Sequence, residues 1–277
     1  MDPRLQRRVQ RYGWDKAAAH YERFWASQLE PAQRLLLEMA DLRPGERVLE
    51  VAAGTGLVTF PAAAAVGPKG RVIATDISDA MVTELATGAA IRGLGQIIPL
   101  RRDAEALEVE ASGFDAALCA LGLMYVPDPI VALGQMRRAL APGGRAVAAV
   151  WGARARCGWA EIFPIVERRV ASEVCPLFFQ LGTSTALADA FAAAGFGDIQ
   201  FERISTILEY PSADDALGAA FAGGPVAMAY SRFDEATRDD AHEEYLASIE
   251  GYRSGDGYRI PGEFVVARGR ASTSGGR

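Results

Sequence analysis

The sequence predicts an α/β fold, a doubly wound parallel sheet that ends in an antiparallel pair and carries helical cap insertions. Three observations predict it. Between Arg47 and Trp151, short apolar runs alternate with helical segments. Those runs are apolar nearly throughout, as strands covered on both faces by helices must be. After Trp151 the alternation stops, and helical segments interleave with two strand-like runs, GDIQFERISTILEY and GEFVVARG.

Residues 1–44 predict a helical lid, broken near Gly13 and Pro31, where glycine and proline weaken a helix. Within it, WDKAAAHYERFWASQLE spaces Tyr21, Phe24 and Trp25 along one helical face. Residues 45–152 predict the core that carries the glycine turn. RVLEVA is its first strand, and a helix follows from about Gly56 to Val66. GRVIATD is the second strand, and Ser78 caps the helix SDAMVTELATGAAIRG. QIIPLRRD and FDAALCAL are the third and fourth strands, PDPIVALGQMRRAL a helix, APGG a tight turn and RAVAAVWG the fifth strand. Residues 153–268 supply the rest of the sheet, with helical insertions at CGWAEIFPIVERRV, TSTALADAFAAAGF, PSADDALGAAFAGG and DEATRDDAHEEYLASIEGYR. Residues 269–277 read as a disordered tail.

Composition removes several classes of function. The 277 residues carry a net charge of −6, whereas nucleic-acid binders present a basic face. The one basic cluster, RLQRRVQR, reads as a solvated helix face. The three cysteines, Cys119, Cys157 and Cys175, have no metal-ligand spacing, and their odd number argues against a disulfide framework. No signal-peptide pattern and no apolar stretch of about 18 residues is present. The expectation is a cytoplasmic protein with no metal, no nucleic-acid partner and no membrane span.

The stretch VLEVAAGTG carries the chemistry. Gly54 and Gly56 match two glycines of the dinucleotide fingerprint G-x-G-x-x-G, but Thr59 occupies the third place. Glu50, just before the turn, would repel a pyrophosphate and attract an ammonium group. Asp76 ends the second strand at the distance expected of an acid that meets ribose hydroxyls. Ile77 can lie against a flat base, and Asp103 can accept from an exocyclic amine. Ammonium, ribose and adenine amine together describe S-adenosyl-L-methionine (SAM).

The pieces VLEVAAGTG, VIATDIS, RRDAEAL, FDAALCALGLMYVPDP and RRALAPGGRAVAAVW, in this order, resemble the class I SAM-dependent methyltransferases of the quinone-methyltransferase-like (methyltransferase type 11) group. The resemblance covers about residues 47–151 and implies a Rossmann-like sheet of seven strands with the last reversed. It also implies that Ala52, Gly54 and Gly56 border the methionine moiety, whose amino group Glu50 helps to hold. It places Asp76 on the ribose, Ile77 against adenine, Asp103 and Ala104 at the adenine edge, and Ala120 and Leu121 by the methionine end. Ala52 stands where the family usually has a glycine. The Tyr-Asp motif and the Lys-Pro-Gly-Gly form of the quinone enzymes are missing, which points away from ubiquinone or menaquinone synthesis.

Methyl transfer from a sulfonium is an in-line displacement, and some acceptors also need a base. His20 and Tyr21 are the candidates, whereas His242, in a charged helix, reads as a surface histidine. Trp25, Met124, Tyr125 and Trp151 are expected to line the acceptor pocket. Trp159, Phe163, Phe178 and Phe179 are candidates for its roof. They suit a small apolar or aromatic acceptor methylated on O, N or C, in secondary metabolism, with S-adenosyl-L-homocysteine (SAH) as product. The N-terminal arm offers a surface for a homo-oligomer. An NAD(P)-dependent oxidoreductase and a noncatalytic SAM-binding module are the alternatives.

Overall fold

The computed structural model describes residues 2–170 and 178–272. The chain opens with a 38-residue helix, α1 (Pro3–Ala40), capped by the Asp2 carboxylate, which accepts from the backbone of Arg4. The expected breaks at Gly13 and Pro31 do not occur. A proline inside a helix costs about 3 kcal/mol. Here Trp25, Leu29, Leu36 and several alanines of α1 are buried against the sheet. Fully burying one such large apolar side chain returns about 1.5–3 kcal/mol, so packing outweighs local preference.

The core follows as β1 (Arg47–Val51), α2 (Thr59–Val66), β2 (Arg71–Asp76), α3 (Asp79–Ile91), β3 (Ile97–Arg101), β4 (Phe114–Ala120), α4 (Pro129–Ala139) and β5 (Leu140–Trp151). The Ser78 hydroxyl caps α3 by accepting from Met81 N, as its sequence position predicts. APGG is no free turn. It bulges within β5, whose pairing with β4 jumps from Leu140 opposite Phe114 to Arg145 opposite Ala116.

The remainder comprises α5 (Ile162–Val170), α6 (Ala186–Ala193), β6 (Gly197–Tyr210), α7 (Ala213–Leu217), α8 (Ala227–Tyr230), α9 (Glu235–Ile249), β7 (Arg253–Ser254) and β8 (Gly257–Arg270). Between α7 and α8 the chain makes a π-helical turn, Gly218–Ala222. Strand β8 extends to Arg270, so residues 269 and 270 belong to the sheet and not to a tail. The rest of the predicted tail, from residue 273, lies outside the described residues, as does Cys175.

The sheet runs β3-β2-β1-β4-β5-β8-β6, with β7 forming a short hairpin on β8. Strands β1 to β5 are parallel, and β8 is antiparallel to both β5 and β6. This is the expected arrangement with one two-residue strand added. The order reverses between β1 and β4, and a doubly wound sheet opens a crevice at such a point, beyond the carboxyl ends of its strands. Arg145 ties the end of α1 to this core. Its guanidinium donates to the carbonyls of Ala40 and Asp41 and pairs with Glu46 at 2.6 Å.

Candidate active site

The glycine turn leaves β1 with three residues in the left-handed region, Ala52 at φ 55°, Gly54 at 57° and Gly56 at 106°. A Cβ on Gly56 would lie 2.6 Å from Leu85 and 2.8 Å from Phe60, so only glycine fits. Ala52 holds its conformation although it carries a Cβ, which costs an L-residue about 1–2 kcal/mol. Asp76 ties the turn to β2. One of its oxygens accepts from Gly54 N and the other from Ser78 N, both at 2.9 Å. Burial raises its pKa, against the pull of those backbone donors.

Glu50 behaves differently from the sequence expectation. It is 1% exposed and does not line the cleft. Its carboxylate turns under the turn and accepts from the Thr59 hydroxyl at 2.6 Å. Burial pushes its pKa up to about 8, with Thr59 opposing and the Asp76 charge adding to the shift. The Glu50 carboxyl therefore supports the turn from below through Thr59 and lies outside the cleft lining.

A cleft of about 980 Å³, open mouth included, runs along the strand ends from β3 to β5. Its charged end is built from Arg7, Asp76, Arg102 and Asp103, beside Ile77, Met81 and Ala104. Asp103 accepts from Glu105 N and pairs with Arg7 at 3.1 Å, while Arg7 also pairs with Glu105 at 2.8 Å. Ala52, Gly54, Ala120, Leu121 and Gly122 line its middle. A Cβ on Gly122 would sit 2.4 Å from that of Ala52, so these two loops meet at van der Waals distance only because Gly122 has none.

The other end is an aromatic chamber. Trp25, Trp151 and Trp159 face one another with ring centroids 4.8–6.0 Å apart. Phe178 packs edge-on against Trp159 and Tyr125, each at 5.5 Å. Trp14 bridges Tyr21 at 5.7 Å and Tyr125 at 5.1 Å. The indole N–H groups of Trp25 and Trp159 are buried and have no hydrogen-bond partner among the described residues. Phe163 and Phe179 pack on Trp159 but do not line the cleft.

Most of the expected site residues thus converge on one cleft. Glu50 and Gly56 lie beneath it. His20 is a correction. It is exposed, its nearest ring is Phe24 at 6.4 Å, and it lines no part of the cleft. Tyr21 does line the cleft, but burial and the nearby carboxylates of Asp76 and Glu22 push its pKa well above the ordinary phenol range. It can donate a hydrogen bond and is a poor base. His242 is half-buried, 2.9 Å from the Tyr230 hydroxyl and packed against Phe221, so it is no surface histidine.

Sequence reasoning missed Arg7, Gln10, Leu29, Arg102, Gly122, Gly224 and Pro225, all of which line the cleft. One signal was available. Arg7, Gln10, Trp14, Tyr21, Trp25 and Leu29 recur at helical spacing, and that single face of α1 roofs the site. The assumed break at Gly13 hid it. Asp15 secures this roof by accepting from the Ser78 hydroxyl at 2.6 Å and from Ala80 N at 3.1 Å.

Among the described residues, no group of three or more His, Cys, Asp and Glu side chains is placed to hold a metal ion, and no helix is long and apolar enough to cross a membrane. The residues present fit SAM. The carboxylate at the end of β2, the left-handed turn that brings backbone close to a ligand and the polar strand-end loops after β3 suit an adenosyl group.

A family profile described as a methyltransferase domain matches residues 48–144. The nocamycin O-methyltransferase of Saccharothrix syringae is 30% identical over 231 residues, 76% of this chain and 80% of that one. The aklanonic acid methyltransferase DauC of Streptomyces sp. (strain C5) is 33% identical over 48% of this chain and 60% of its own length. The ubiquinone/menaquinone biosynthesis C-methyltransferase UbiE of Teredinibacter turnerae is 38% identical over 41% and 46%. This chain therefore spans less than two thirds of the last two relatives. Among solved structures, a SAM complex of phosphoethanolamine N-methyltransferase 2 from Haemonchus contortus superposes with a TM-score of 0.60 at 17% identity, over 94% of this chain and 57% of that one. The [4+2]-cyclase SpnF gives a TM-score of 0.58 at 19% identity, over 88% and 81%. At such identities the two structures speak for the fold alone. The sheet order, the glycine turn and the length of the match to the O-methyltransferase agree, and the chain belongs to the class I SAM-dependent methyltransferases.

Proposed function

We propose that this enzyme methylates a small, flat, apolar or aromatic acceptor held in the chamber beneath α1. The observation that carries the reading is the polarity of the cleft, which is charged where it follows β2 and β3 and aromatic where it follows β4 and β5. In this reading the Asp76 carboxylate accepts from the ribose hydroxyls with lone pairs left over from its two backbone donors. Ile77 and Met81 pack on adenine, and Asp103 with the backbone of Ala104 reads its edge. Arg7 orients Asp103 from α1. Ala52, Gly54, Ala120 and Leu121 border the methionine end, while Glu50 and Gly56 shape the turn from below. Bound SAM supplies an already activated methyl group.

The protein's remaining task is to position the acceptor and exclude water. Trp25, Met124, Tyr125 and Trp151 line the acceptor chamber, which Trp159 and Phe178 extend, and Tyr21 offers a hydroxyl donor beside it. Residues 3–40 act as its lid, the core to residue 152 holds the cofactor, and the insertions after it close the acceptor side. The nocamycin and aklanonic acid relatives support a place in secondary metabolism.

Thermal shifts with SAH and with NAD test the cofactor. At a hundredfold excess over Kd, SAH stabilises by about 2.7 kcal/mol, a rise in Tm of roughly 5–10 °C. Stabilisation by NAD alone would overturn the reading, as would failure to transfer a methyl group to any of a panel of phenols, acids, amines and prenylated aromatics.

A further inference from the structure

The aromatic end of the cleft is short of groups that accept protons. Among the described residues, Trp25, Met124, Tyr125, Trp151, Trp159 and Phe178 line it, with no His, Lys, Asp, Glu or Cys. The charged lining residues, Arg7, Asp76, Arg102 and Asp103, belong to the opposite end, at β2 and β3. Two phenols remain, Tyr21 and Tyr125, and a phenol with an ordinary pKa of about 10 is a weak base near neutral pH. Tyr21 is pushed further from that role by burial and by the charges of Asp76 and Glu22.

What this end does supply is donors. The buried indole N–H groups of Trp25 and Trp159 have no partner among the described residues, and an indole can only donate. Tyr21, whose ring lies 3.8 Å from where a Cβ on Gly54 would sit, adds a hydroxyl donor between the two ends. Buried polar groups without partners are rare in folded proteins and call for an explanation. A ligand oxygen that wedges between the indoles would give them one, whereas an amine would bring further donors.

The apolar wall adds a second argument. When an anion attacks a sulfonium, opposite charges cancel in the transition state, and a water-excluded site of low dielectric favours that cancellation. With a neutral amine the positive charge is only passed on, and the same wall would serve it poorly.

We infer that the acceptor carries an acidic hydroxyl, a carboxylic acid or an enol of similar acidity on a flat aromatic body, and that it is methylated on oxygen as its oxyanion without a protein base. This rests on SAM-dependent transfer in this cleft. The oxyanion forms the O–CH₃ bond as the S–CH₃ bond breaks, and the sulfur keeps the bonding pair, leaving as the neutral thioether of SAH. No proton moves in the step, because the acceptor has already lost its proton to water.

The test uses the full-length enzyme with an anthraquinone carboxylic acid and matched hydroxy- and aminoanthraquinones. SAH binding is measured first by calorimetry. Its absence sinks SAM-dependent transfer as a whole, whereas binding followed by methylation of the amine alone, or of no acid, sinks only the present inference. With the acid, kcat/KM is expected to stay flat from about pH 6 to about pH 7.5, below the titration of Glu50 under the glycine turn. With the hydroxy compounds it should fall tenfold per pH unit below a break that follows each compound's own pKa. A fall toward low pH with one fixed break for every acceptor would reveal a protein base and overturn the inference. Tyr21→Phe should lower kcat/KM about tenfold with the profile unmoved. Tyr125→Phe, Glu173→Gln and Cys175→Ser are further arms, the last two because residues 173 and 175 lie outside the described residues. Loss of more than a thousandfold in any of them, with partial recovery at high pH, would also overturn it. Binding gives a readout that needs no turnover. The acid should bind at least tenfold more tightly beside sinefungin, which places a cationic amine where the methyl would be, than beside neutral SAH. The amide of the same acid should show no such difference, and equal ratios for acid and amide would refute the oxyanion.

Discussion

Substituting Gly122→Ala tests how the glycine turn and the loop after β4 share the methionine end of the cleft. Gly122 has φ −101° and ψ −38°, so an alanine there meets no backbone penalty. The new methyl would lie 2.4 Å from the Cβ of Ala52 and 3.0 Å from the sulfur of Cys119, so one loop must move. Overpacking of this kind costs about 1–3 kcal/mol, or roughly 2–12 °C of Tm in a chain of this size. Because both loops line the cleft, SAH affinity should fall by about tenfold, equivalent to about 1.4 kcal/mol. Ala52→Gly separates contact from chance. By itself it relieves the left-handed strain of about 1–2 kcal/mol but loosens the unfolded chain by about 0.4–1 kcal/mol, so its net effect is small. Together with Gly122→Ala it removes the atom the new methyl strikes. The double variant should recover about 1–2 kcal/mol relative to the sum of the single changes. Thermal unfolding and calorimetric titration with SAH on all four proteins give the cycle. Additivity within about 0.5 kcal/mol, or unaltered SAH affinity in Gly122→Ala, would refute the proposed contact.

Asp76→Asn should weaken SAH about 10- to 100-fold in a calorimetric titration, since hydrogen bonds to a charged group contribute about 1.5–3 kcal/mol each. Glu50→Gln should change how stability depends on pH. The folded chain holds the Glu50 proton up to about pH 8, whereas the unfolded chain releases it near 4.5, so this group lowers stability as pH rises through that window and adds nothing further above it. The glutamine variant should match the parent near pH 4.5 and exceed it most near pH 8, as read from urea midpoints; a constant difference would contradict the burial argument. His20→Ala should retain methyl transfer within about twofold, because the ring is exposed and outside the cleft; a loss of a hundredfold would restore it as a base. Arg145→Met should destabilise by about 3–5 kcal/mol in chemical denaturation, since it leaves Glu46 and two carbonyls at the end of α1 without their partner.

The core strands were legible because each is buried on both faces, which writes an unbroken apolar run into the chain and leaves little else for it to be. Asp76 and Asp103 were legible for a related reason, since a parallel strand delivers its last residue to the crevice whatever its side chain does. Glu50 shows where that logic stops. Its side chain points under the turn to Thr59, and one sequence does not encode a rotamer. Arg7 was invisible for a different reason, because its partner Glu105 is 98 residues away and the pairing depends on where α1 lies. Length misled as well. Gly13 and Pro31 obey local rules that favour a break, and only burial of the face bearing Trp25, Leu29 and Leu36 overrides them. His20 and Tyr21 are both candidates by residue type, and their adjacency on a helix is the discriminating fact. Successive residues point about 100° apart, so at most one of the two can face the cleft squarely. The phase set by Arg7, Gln10, Trp14 and Trp25 selects Tyr21, and it does so from sequence spacing alone once the helix is allowed to run through Gly13.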